Sequence, residues 1–132
     1  MLETFHWFRG EGFGLIVDDL LQLRREASVI VEGFRLLPDL VTPHLTAADH
    51  AVWLLPTPEF RRAALVSRGS LLRIAGQTSD PDRALRNLLE RDRLFTERLR
   101  EQTRRFGLRA ISVEVAMTRD ELAGLVAEAL GL

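Results

Sequence analysis

Apolar positions along the chain fall into two kinds of block. Phe13, Ile16, Val17, Leu20 and Leu21 recur at helical spacing, with Asp18, Asp19, Arg24 and Arg25 mostly on the other side. That pattern predicts an amphipathic helix over Glu11 to Arg25. The next block, "SVIVEG", is different: Val29, Ile30 and Val31 run straight into Glu32 and Gly33 with no alternation of apolar and polar residues. A short continuous β-branched run predicts a strand covered on both faces. "HAVWLLP" (His50 to Pro56) and "LRAISVEV" (Leu108 to Val115) have the same character. "FRLLPDLVTPHL" between the first two reads as a short, proline-interrupted helical or irregular segment.

Helix starts are written in cap chemistry. Thr57 before Pro58 predicts a helix to about Ser67, because a proline at the first helical position sacrifices no hydrogen bond. Asp80 before Pro81 opens the longest helix, to about Phe106, with Gly107 as its stop. Its apolar stripe is Leu85, Leu88, Leu89, Phe95, Leu99 and Phe106. "MTRDEL" is a capping box, Thr118 with Glu121, and Met117 with Leu122 can staple it. The last helix runs to about Leu130. Ser67 to Pro81, with two glycines and small polar residues, reads as a long loop of the functional or disordered kind.

The order is α-β-α-β-α-α-β-α. Strands alternating with helices predict a single α/β domain over 1–132, three-layered, with a parallel sheet of about three strands (near 28–32, 50–55 and 108–115) flanked by helices. No repeat or low-complexity tract interrupts it.

Composition narrows the chemistry. The chain has 132 residues, enough for one core, and a formal net charge of -1. That balance gives no reason to expect nucleic acid or an anionic membrane as partner. Cysteine is absent, which excludes thiolate chemistry and cysteine-ligated metal. All 18 basic residues are arginine, so neither a Schiff base nor a lysine-bearing phosphate loop comes from this chain. No apolar run approaches the length of a membrane span and no signal-peptide pattern opens the sequence, so the expectation is a cytoplasmic protein.

Candidate chemistry concentrates at a few positions. In parallel sheets, ligands bind at the carboxyl ends of strands, and Glu32 is predicted at such an end. There it can take a proton from an attacking hydroxyl or hold Mg²⁺ through water, or it is an ordinary acid open to solvent. Arg61, Arg62 and Arg68, with Arg73 beyond, form either a clamp for phosphoryl oxygens or a solvated helix face. Asp92 lies on the apolar stripe, and a structural ion pair with another element is the expected reading, with Arg91 and Arg93 pointing elsewhere. "FHWFRGEGF", carrying His6, Trp7, Arg9 and Glu11, either lines an acceptor pocket or packs as an N-terminal core segment. His44 and His50 lack ligand-like spacing, so no metal cage is expected.

Taken together, "VIVEGFRLLPDLV", "AVWLLPTPEFRRAALVSRGS" and "NLLERDRLFTERLREQTRRFGLRAISVEV" resemble, in order and spacing, the later part of P-loop kinases. The nearest branch is the small nucleoside- and nucleotide-kinase-like group of AAA-type ATPases. The resemblance implies that "VIVEG" is a Walker B strand, with Glu32 as its catalytic or metal-associated carboxylate. It makes Arg61, Arg62 and Arg68 the start of a lid over the transferred phosphate, puts Glu114 to Met117 by an adenine base, and puts Trp7, Arg9 and Glu11 on the acceptor side. Complete relatives use ATP and Mg²⁺ to phosphorylate a small-molecule acceptor.

One departure is large. The family's Gly-rich loop ending in Gly-Lys-Ser/Thr has no counterpart, nor has the strand before it. A truncated gene model, a fragment or a degenerate paralogue is the expectation, with weak ATP binding or none. Loss of a central strand leaves parallel edges open, so self-association through the open sheet edge is expected. The rival reading is a non-catalytic α/β interaction or dimerisation module. A nucleotide-independent enzyme built around "WFRGEGF" lacks a nucleophile–base pair.

Overall fold

Thr57, Asp80 and Thr118 each cap a helix, their side chains accepting a first-turn backbone N–H from Phe60, Arg83 and Glu121 respectively. The structure, a computed structural model, describes residues 12–23, 29–69 and 75–132. Within them lie α1 (Phe13–Leu21), α2 (Pro38–Val41), β1 (Val52–Pro56), α3 (Pro58–Ser67), α4 (Pro81–Arg105), β2 (Arg109–Val113) and α5 (Arg119–Leu130). Short 3-10 turns at Thr42–His44 and Ala48–His50 lead from α2 into β1.

β1 and β2 pair in parallel, Val52 opposite Arg109 through Pro56 opposite Val113, with α3 and α4 forming the crossover between them. The chain is thus α/β with a parallel sheet, two-stranded among the described residues. α4 and α5 each contact both strands, and α3 packs on β1 and α4. Trp53 and Leu55 point to one face of β1 and are buried with Leu37, Leu65, Val113 and Ala129. Between them Leu54 is 46% exposed. Each strand was expected to be covered on both faces, and β1 is not.

The exit from α4 follows from Gly107. Its φ of 64° is a left-handed conformation that costs glycine nothing. It lets the Gly107 N–H reach the Arg104 carbonyl and the Leu108 N–H reach the Thr103 carbonyl at 2.8 Å, the paired closure of a Schellman motif. The chain passes from helix to strand in three residues, Phe106 to Leu108. Phe106, expected on the buried stripe, is part of this turn and is exposed, with the Arg105 guanidinium over its ring. β2 in turn caps α5: Arg109 Nη1 donates to the carbonyls of Glu128 and Ala129 at the C-terminal end of that helix, where a cation offsets the dipole.

The expected first strand is corrected. Residues 29–33 form no strand, and Ile30 is 82% exposed. β-branched residues supply strand propensity, yet a ladder needs a neighbour, and none of the described residues pairs with this run. The chain beyond it is held elsewhere. A turn closes from Gly33 to Leu36, and the Trp53 indole donates to the Leu36 carbonyl at 2.9 Å. The expected helix over Glu11 to Arg25 is observed as the shorter α1, which begins after Gly12 and ends at Leu21; Glu11, Arg24, Arg25 and the middle of the Ser67 to Pro81 loop lie outside the described residues.

Candidate functional site

Glu32 sits on the exposed, unpaired run before the Gly33 turn, not at the end of a buried strand. Its carboxylate makes no hydrogen bond or ion pair with a described residue. The strand-end geometry that would aim it into a crevice is therefore missing from its surroundings.

The three arginines of the expected clamp divide. Arg61 Nε donates to Asp92 Oδ2 at 2.6 Å, tying α3 to α4. The Asp92 side chain is 15% exposed, and its second oxygen accepts from Arg91 Nη2 at 3.1 Å and Nε at 3.4 Å. Asp92 thus has the partner on another element that its place on the stripe demanded. Arg91 also turns toward it, against expectation, whereas Arg93 does point away and bridges Glu90 and Glu97. Those bonds hold the Glu90 carboxyl below the usual carboxylate range, chiefly through the Arg93 side chain. Arg62 and Arg68 are exposed and pair with no described residue. Trp7, Arg9, Glu11 and Arg73 lie outside the described residues.

His44 stacks obliquely on Phe13 at 5.6 Å between ring centroids, and His50 Nδ1 shares a hydrogen bond with the Thr46 hydroxyl at 3.1 Å. Among the described residues no three His, Cys, Asp or Glu side chains converge to hold a metal ion. No described helix is long and apolar enough to cross a membrane.

What converges instead is main chain. The Thr57 N–H donates to the Val113 carbonyl, which fixes Thr57, Leu55 and Trp53 as the residues whose peptide groups face β2. By strand alternation Val52 and Leu54 direct both their N–H and their C=O groups to the opposite side. There they meet no described backbone partner. Pro56, with no N–H, offers only its carbonyl, as befits an edge strand. An open edge was expected from the missing central strand, and alternation along "VWLLP" sets which peptide groups lie on it.

Comparison with protein-family models, curated proteins and solved structures returns no match for this chain.

Proposed function

We propose that the chain is a non-catalytic α/β interaction module that associates through the open edge of its parallel sheet. The observation that carries this reading is the outward row of peptide groups on β1 that meet no partner among the described residues, bordered by the exposed Leu54. Peptide groups in that position are a template for a further strand. A net charge of -1 leaves little repulsion between copies. Sedimentation velocity over a wide concentration range tests it. Mass-action dimer formation is the expected result, and a monomer throughout overturns self-association.

A second reading, a degenerate relative of the P-loop kinases, rests on the quoted motifs and on two exposed arginines, Arg62 within α3 and Arg68 at its C-terminal end. In it Arg62 and Arg68 take phosphoryl oxygens, with Arg61 already committed to Asp92, and Glu32 has no cradle opposite it. Without a phosphate loop the backbone donors and lysine that grip the β- and γ-phosphates are gone. Titration calorimetry with Mg·ATP separates the two readings. No measurable heat is expected, and micromolar binding would establish a nucleotide site and displace the module reading.

A further inference from the structure

The open edge of β1 and the exposed run before Gly33 are complementary. Val29 to Glu32 is a largely β-branched segment whose peptide groups join no ladder among the described residues, and four residues extend about 13 Å. Val52 to Pro56 is an apolar strand with no neighbour along its outer side among the described residues. The outer edge of β2 is a poorer acceptor, because the residues that alternate outward there are Ala110 and Ser112, with Arg109 beside them bound to the end of α5.

We propose that Val29, Ile30 and Val31 of one copy add as a strand to the outer edge of β1 in a second copy, bonding the peptide groups of Val52 and Leu54. The proposal rests on the interaction-module reading and assigns its donor and its acceptor. Two features favour a second copy. Within its own chain the run leads directly into the Gly33 turn and the Trp53–Leu36 hydrogen bond, and it makes no backbone hydrogen bond to β1. The same sequence also carries both halves, so two copies can exchange strands reciprocally, the closed arrangement of a two-fold dimer. The exchange would cover Ile30 and Leu54 and satisfy the outward row at once.

The absence of native cysteine makes the test direct. Chains carrying Val29→Cys, Ile30→Cys or Val31→Cys are each mixed with Leu54→Cys chains and oxidised mildly. A mixed disulfide dimer is expected for at least one of the three. Ile30→Asp, at a site already exposed, should keep its circular dichroism spectrum and weaken the dimer by at least about tenfold, since a charge on a joining strand opposes pairing. Three results would overturn the assignment. One is a cross-link that forms only within an Ile30→Cys, Leu54→Cys double variant at high dilution, which places the run on its own β1. Another is an Ile30→Asp dimer as tight as the parent, which leaves the module reading standing and removes this segment from it. A parent chain that never dimerises removes both.

Discussion

Arg61 Nε and Asp92 Oδ2 are 2.6 Å apart, and they join two helices that the sheet alone does not hold together. The pair is intermediate between a solvent-exposed bridge, worth little, and a buried one, whose rupture strands a charge. A double-mutant cycle with Arg61→Ala and Asp92→Ala is expected to give a coupling of roughly 1–2 kcal/mol in urea denaturation. Coupling near zero would show the contact to be incidental. Arg62→Ala, which removes no described contact, should leave stability within about 0.5 kcal/mol of the parent.

The Thr118–Glu121 box makes α5 sensitive to acid. The Thr118 backbone N–H, and then its hydroxyl, hold the Glu121 carboxyl below its usual value. A carboxyl lowered on folding stabilises the protein fully above its unfolded value and loses that contribution as pH falls through the folded one. Glu121→Gln should therefore be less stable than the parent at neutral pH, and the difference should shrink as pH falls below about 4. Thermal melts of both chains across that range check the sign. Thr118→Ala, which removes the cap itself, should cost about 1 kcal/mol at neutral pH.

Trp53 is buried, and its indole N–H is spent on the Leu36 carbonyl. Trp53→Phe keeps most of the apolar contact and leaves that carbonyl without its donor, so about 1 kcal/mol of stability should be lost. Amide exchange should accelerate at Leu36 and Leu37 more than in α5. Uniform acceleration would mean that the bond does not hold this turn in particular.

Gly107 occupies a backbone conformation that a side chain resists. Gly107→Ala is expected to destabilise by about 1–2 kcal/mol, and Gly107→Asn by less, because asparagine tolerates the left-handed region. No Cβ clash complicates the measurement, since nothing lies within 4 Å of the site a Cβ would occupy. Equal losses for the two variants would point away from backbone conformation as the cause.

Features set by neighbours in sequence were legible before the structure. Three caps at Thr57, Asp80 and Thr118 and the stop at Gly107 depend on residues within a turn of one another, and the two strands that pair were marked by their local apolar runs. Asp92 was legible too, because a carboxylate on an apolar stripe demands a partner, although the stripe could not say that the partner was Arg61. The run at Val29 to Val31 was misread. Its propensity for strand is real, but whether a ladder forms depends on a distant edge that local composition does not encode. The placement of Glu32 at the end of a strand went with it.

The parallel pairing of β1 with β2 also dictates an order of events. Its two strands are separated in the chain by all of α3 and α4, so the sheet closes the longest loop in the crossover. Helices with built-in caps form within about a microsecond, whereas a contact of such high sequence separation must wait for that closure entropy to be met. The pairing of "VWLLP" with "AISV" is therefore expected late in folding, and until it forms neither strand has the other's cover. Crowded synthesis is when this protein is most exposed to aggregation, and slower production at lower concentration should raise its soluble yield.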